Sequence, residues 1–332
     1  MKKAKPSEIK SDRCKTRYPL VFVHGLAFRD GKPPQKTDRK LDCDKGDSVA
    51  RKGQLSASRA YSDVSDRAES CHLRDNQASL AQSGRYWGRI PRVLQENGAK
   101  VFFGNTEAYA SVGTNAAILV DSIEKVLAET GAEKANIIAH SKGGIDARYA
   151  ISSLGLAEKT ASLSTIATPH RGSKSLDFFC KFPKFLRKII CFFKNIRYRL
   201  AGDKKPDVYK VTQELSTKGM LPFNQENPDA EDVYYQSFTS LMKHAGSDVF
   251  LCVPYCIIKI IEGENDGMVT PSSAEWANYR GIVDSPTKRG ISHDNMVDRR
   301  RRRLTKKTAE GKYSDITDFY VEMIEGLKAR GL

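Results

Sequence analysis

The sequence predicts an α/β fold, with a mainly parallel central sheet flanked by helices, in a single domain spanning residues 1–332. Two observations carry this. Short apolar runs of strand length alternate with segments of helical length, which is the pattern of βαβ units. A serine in a turn of small residues also lies directly between one such strand and the next helix. An apolar fraction of 39% is enough to build one core.

The elements follow in order. Residues 18–23 (YPLVFV) are an apolar run ending at His24-Gly25 and read as a buried strand. Residues 86–97 fit a helix closed by Asn97-Gly98. Residues 100–103 are a short strand, and 114–129 an amphipathic helix with Ile118, Ile123, Val126 and Leu127 on its apolar face, stopping near Gly131. Residues 135–139 (ANIIA) predict a strand, 142–154 a helix and 161–167 (ASLSTIA) another strand. After Gly172 the alternation ceases. It returns with a strand at 254–261 and a closing helix at 314–328.

Residues 30–82 differ in character. They hold ten basic and nine acidic residues, seven serines and one aromatic, Tyr61, with no period of 2 or 3.6. They are expected to form a polar, loosely packed insertion. The DCDKGD stretch at 42–47 lacks the closing glutamate of an EF-hand loop.

The net charge of +15 suggests nucleic acid or an anionic surface, but its distribution says more than its sum. Residues 1–17 carry +5, residues 176–200 carry +6 and residues 299–307 (RRRRRLTKK) carry +7, so the remainder nets −3. No aromatic interleaving or recognised module supports nucleic-acid binding. The arginine run 299–303 reads as a solvated, ion-paired loop or a contact for an anionic surface. Seven scattered cysteines without a CxxC predict reduced thiols in a cytoplasmic protein. The basic N-terminus has no apolar stretch behind it, and no run of 18 apolar residues exists to span a membrane.

The strongest chemical signal is Ala139-His140-Ser141-Lys142-Gly143-Gly144, a nucleophile elbow with alanine in its first position. The serine of such an elbow sits in a strained turn. Small residues two before and two after it let strand and helix approach, and Ala139 and Gly143 meet that need. The Lys142 N–H at the helix start can stabilise an oxyanion. The second donor is expected from the loop after the first strand, His24-Gly25-Leu26, with the Leu26 N–H as the group.

A serine nucleophile needs a base, and six histidines are available. His24 lies in the first turn, His140 in the elbow, His170 in TPHRGS and His72 in the polar insertion. Of the remaining two, His293 (GISHDN) preserves the order serine, acid, histidine, whereas His244 breaks it. Asp266 in GENDGMV is the expected acid because it follows the strand predicted at 254–261; Glu262, Glu264 and Asp248 are its rivals.

At these residues the chain resembles the bacterial lipase/esterase branch of the α/β-hydrolases. The matching segments are PLVFVHGL, RYWGRI, NIIAHSKGGIDARY, SLSTIATPHRGS, GENDGMV and ISHDNMVD. The resemblance implies Ser141 as nucleophile, Asp266 as acid, His293 as base, and Leu26 and Lys142 as oxyanion donors. His24, Gly25, His140 and Gly143 would support the elbow. No cofactor is implied. Many relatives hold a structural calcium beside the histidine loop through an Asp two residues after the histidine; here that position is Asn295, an uncharged and weaker ligand.

Residues 176–200 (LDFFCKFPKFLRKIICFFKNIRYRL) hold six of the 14 phenylalanines: Phe178, Phe179, Phe182, Phe185, Phe192 and Phe193. The segment is both greasy and basic, and it falls where this fold inserts a cap, expected over about 173–248. It reads either as a lid over an acyl pocket that meets lipid or micelle surfaces, or as a cap packed permanently on the body. The predicted function is serine hydrolysis of acyl esters or lipids. The alternatives are an acyltransferase or thioesterase with the same triad, and an inactive lipid- or partner-binding module.

Overall fold

The computed structural model describes residues 11–26, 86–200 and 202–332, so the insertion expected at 30–82 lies outside the described residues. Six strands form one sheet in the order β2-β1-β3-β4-β5-β6, and every neighbouring pair is parallel. They are β1 (Leu20–Val23), β2 (Val101–Phe103), β3 (Ala135–His140), β4 (Thr160–Ile166), β5 (Tyr234–Ser240) and β6 (Tyr279–Val283).

Helices cover both faces, so the inner strands are apolar on both sides. In β1 the alternation of Cβ directions sends Leu20 and Phe22 to one face and Val21 and Val23 to the other, and all four are buried. On the first face lie α1 (Ile90–Glu96) and the closing helix α11 (Ile316–Ala329), with Trp87, Ile90 and Tyr320 against Phe22. On the second face lie α2 (Val112–Thr130) and α3 (Lys142–Ser153), with Leu119, Ile123, Ala147 and Ile151. Ser111 caps the start of α2 through its hydroxyl, and Gly131 ends it with a left-handed φ of 66°.

From β1 the chain crosses to β2 on one side and returns to β3 on the other. The carboxyl ends of β1 and β3 therefore flank the point where strand order reverses, which is where open parallel sheets place their ligands. His24-Gly25 leaves the end of β1, and Ser141 leaves the end of β3.

Three expectations need correction. Residues 252–261 are not a strand but the helix α8 (Cys252–Ile261), which buries Tyr255 and Ile258. A short apolar run is compatible with either element, and only its packing decides. The strand beside β4 is instead β5, followed beyond the short helix α9 (Pro271–Ala274) by the edge strand β6. Both were missed because YYQSFTS and YRGIV carry too few aliphatic residues to stand out. Because β5 belongs to the central sheet, the helical insertion expected to reach 248 ends before 234. It comprises α4 (Lys174–Cys180), α5 (Lys184–Leu200), α6 (Val208–Glu214) and α7 (Thr217–Glu226).

Candidate active site

The turn after β3 is strained. Ser141 has φ 55° and ψ −132°, a region that a residue with a side chain rarely adopts. The Ser141 N–H donates to the Ile166 carbonyl at 2.9 Å, and Lys142 begins α3. Glycines let the neighbouring chain close on this turn. A Cβ on Gly25 would sit 2.5 Å from Ser141 Cβ and 2.9 Å from the His140 carbonyl oxygen. A Cβ on Gly143 would sit 2.5 Å from the His24 carbonyl oxygen, and one on Gly144 2.3 Å from Thr168 Oγ1. The β1 loop and the elbow are thus in direct contact. Leu26, next in that loop, packs on the cluster that includes Ile145 of α3.

His293 and Asp266 come together from separate loops. His293 Nδ1 lies 2.8 Å from Asp266 Oδ2, and the His293 backbone N–H donates to the Asp266 carbonyl at 2.8 Å. The other carboxylate oxygen, Oδ1, accepts the N–H groups of Val269 at 2.8 Å and Met268 at 2.9 Å. This network assigns the proton to Nδ1 and leaves Nε2 as the acceptor. Burial pulls the imidazole pKa down, but the charge and hydrogen bond of Asp266 outweigh it, so the net shift is upward from 6.5. Asp266 does not project from the end of a strand, as the sequence suggested. It follows α8, and the Met242 N–H donating to the Asn265 carbonyl at 3.0 Å returns its loop to the end of β5.

His140, just before Ser141, packs against the His293 ring. Its ring centroid is 4.3 Å from that of His293. Tyr86 Oη accepts the Gly25 N–H at 3.0 Å and lies 2.7 Å from His140 Nδ1, to which it donates. Burial drives the His140 pKa well down, so this imidazole stays neutral. Tyr86 therefore ties the β1 loop to the elbow. It lies within RYWGRI, yet no spacing rule marks its hydroxyl in advance.

Lys142 is buried along its whole side chain. Its Nζ sits 2.6 Å from Asp146 Oδ1, while Asn115 Nδ2 donates to Asp146 Oδ2 at 2.9 Å. Burial raises the Asp146 carboxyl to about 6 against the pull of Lys142 and Asn115. The i,i+4 spacing of Lys142 and Asp146 was the only sequence signal for this pair.

The other histidines and acids have separate places. His170 is a core residue between Arg148 and Trp276, with Thr165 Oγ1 2.9 Å from its Nε2. His244 is exposed, and His72 lies outside the described residues. Glu262 accepts from Ser173 Oγ and the Ser175 N–H at 2.7 Å, and Glu264 pairs with Lys259. Asp248 accepts from Ser292 Oγ at 2.8 Å, one residue before His293.

The six phenylalanines of 176–200 divide. Phe178, Phe182, Phe185, Phe192 and Phe193 are exposed, whereas Phe179 packs beside Cys191 and Tyr198.

Known proteins are similar to this chain in sequence and in fold. The chain is 28% identical over 265 residues to triacylglycerol lipase 2 of Saccharomyces cerevisiae, covering 77% of each. It is 43% identical over 226 residues to a triacylglycerol lipase of Pseudarthrobacter phenanthrenivorans, covering 65% of this chain and 55% of that one. In sequence and in fold the chain is thus similar to lipases and esterases. It spans only about half the length of the Pseudarthrobacter relative. Its fold is similar to the crystal structure of a metagenomic carboxyl esterase, with a TM-score of 0.62 at 14% identity over 99% of this chain and 80% of that one. No protein-family model matches the chain.

Proposed function

We propose that the chain hydrolyses carboxylic esters through an acyl-enzyme on Ser141. The observation that carries this is the buried His293–Asp266 pair, whose imidazole packs 4.3 Å from the ring of His140, the residue before the strained Ser141. In this reading His293 Nε2 removes the Ser141 proton as Oγ attacks the ester carbonyl. Asp266 fixes the tautomer and stabilises the imidazolium. The Leu26 and Lys142 N–H groups hold the tetrahedral oxyanion, and His293 then protonates the leaving alcohol. Water activated by the same imidazole releases the acid. Each group in this sequence is a protein group or water. Acyltransfer, thioester cleavage and an inactive binding module are not favoured by the lipase and esterase relatives.

The test is Ser141→Ala on a soluble p-nitrophenyl ester. We expect kcat to fall by about 10⁶-fold. A fluorophosphonate probe should label the parent protein and not the variant. Near-parental turnover by the variant would overturn the assignment.

Under the same reading, the substrate is met at an anionic lipid surface. Helix α4 packs against α8, and both helices and α5 present apolar side chains to solvent. Ile260 is 86% exposed, Phe250 81% and Phe185 67%, and exposed apolar groups of this size mark interaction surfaces. Seven lysines and arginines lie in the same stretch at 176–200. Apolar insertion flanked by cationic anchors suits a lipid aggregate of negative charge. Among the described residues no helix is long and apolar enough to cross a membrane. Replacing Phe250 and Ile260 by Ser should lower turnover on anionic micelles and leave soluble-ester turnover intact. Equal loss on both substrates would refute the docking role.

A further inference from the structure

The resemblance to calcium-holding lipases implies an ion beside the histidine loop, and the donor set here does not fit one. Asn295, at the position of the usual aspartate, is committed to the backbone. Its Oδ1 accepts the Ser292 N–H at 3.2 Å, and its own N–H donates to Ser292 Oγ at 3.2 Å. This reciprocal pair caps helix α10 (His293–Met296), whose first residue is His293. The nearby buried carboxylate, Asp248, is also committed. Oδ2 accepts from Ser292 Oγ at 2.8 Å, and Oδ1 accepts the Phe250 N–H at 3.1 Å and pairs with Arg300. Among the described residues no group of three His, Cys, Asp or Glu side chains is placed to hold a metal.

We propose that the Arg300 guanidinium, through Asp248 and Ser292, holds the His293 loop where relatives use a metal ion. The inference rests on His293 being the base. A fully buried carboxylate needs a countercharge, and arginine supplies one that no accessible pH removes. The pairing spans two distant stretches. Asp248 belongs to the loop between β5 and α8, while Ser292 and Arg300 bracket α10. Backbone bonds from Ile291 to the Leu241 carbonyl at 2.8 Å and from Lys243 to the Arg289 carbonyl at 3.0 Å bring those stretches side by side. The Arg300–Asp248–Ser292 chain then fixes the far end of the contact, one residue from His293. Asp294 pairs with Arg299 at 3.6 Å and feels the Arg300 charge more weakly than that of Arg299. Arg300 is thus a positioning residue that touches no reacting atom.

The experiment compares the parent protein with Arg300→Met and Arg300→Lys on a soluble p-nitrophenyl ester. Parental kcat and melting temperature should be unchanged by EDTA and by added calcium. Arg300→Met should lower kcat by about 10-fold or more at nearly constant KM, the scale for loss of a group that orients an active-site ligand. It should also shift the acid limb of the pH profile, and Arg300→Lys should recover most of the loss. If Arg300→Met does not fold, the double variant Arg300→Met/Asp248→Asn removes both charges together, and the same kcat loss is expected. EDTA inactivation reversed by calcium, or an Arg300→Met enzyme with parental kcat and pH profile, would overturn the proposal. Fluorophosphonate labelling of parental Ser141 tests the underlying triad separately.

Discussion

Asp266 holds His293 at two points: its carboxylate lies 2.8 Å from Nδ1, and its carbonyl accepts the His293 backbone N–H at 2.8 Å. The side-chain bond sets the tautomer and the backbone bond sets the loop. Together they leave the imidazole with a pKa raised above 6.5, since the Asp266 charge outweighs burial. In the proposed mechanism the neutral imidazole is the active base. Activity should therefore be lost as pH falls through a value above the ordinary imidazole one, measured as the acid limb of kcat/KM. Asp266→Asn leaves burial unopposed by that charge. The limb should move to lower pH while kcat falls about 10⁴-fold.

Gly25 is a second point of contact. A methyl there would meet Ser141 Cβ at 2.5 Å and must push the β1 loop and the elbow apart. Gly25→Ala should cost about 10²–10³-fold in kcat, the scale of losing one oxyanion donor. Steady-state kinetics with a circular dichroism check of folding would show it. Parental kcat would mean that the two loops need not touch.

Tyr86→Phe tests the tie between the same two loops. It strips the acceptor from the Gly25 N–H and the donor from His140 Nδ1. We expect a stability loss of about 1–3 kcal/mol by urea unfolding, the cost of orphaned buried polar groups. A smaller drop in kcat than for Gly25→Ala should accompany it, because no atom is forced into Ser141.

Lys142→Met removes a buried cation and keeps the backbone N–H. Asp146, already pushed up to about 6 by burial, would lose its main countercharge and rise further. Urea unfolding should show a loss of about 3–5 kcal/mol. A stability within error of the parent would show that the pair contributes nothing net to the fold.

The elbow turn of the candidate site is legible in the sequence because its geometry is local. Ala139 to Gly144 combine a strand end, a helix start and small residues, and one turn of backbone needs all three. Val21, Val23, Ile137 and Ile138 mark strands buried on both faces. Residues 254–261 read as a strand in sequence because an aliphatic run of that length satisfies both periods. As the helix α8 it leaves Val253, Ile257 and Ile260 in solvent, an outcome no burial rule anticipates. Strands β5 and β6 escaped notice for the opposite reason, since Gln236, Ser237 and Gly281 dilute their apolar pattern.

The sequence by itself determined the α/β architecture and pointed to Ser141 and His293, because motif spacing and chain order constrain those choices, whereas its reason for Asp266, a preceding strand, is replaced by helix α8. Only the tertiary structure decided the partners of each. Asp248 and Asp266 are both buried acids near His293, and what separates them is which loop folds back onto which. Asp266 meets the imidazole, while Asp248 meets Ser292 and Arg300. Such contacts join residues tens of positions apart through backbone registers that no local pattern encodes. The same holds for Tyr86, whose hydroxyl acquires its role only when the β1 loop and the elbow pack together.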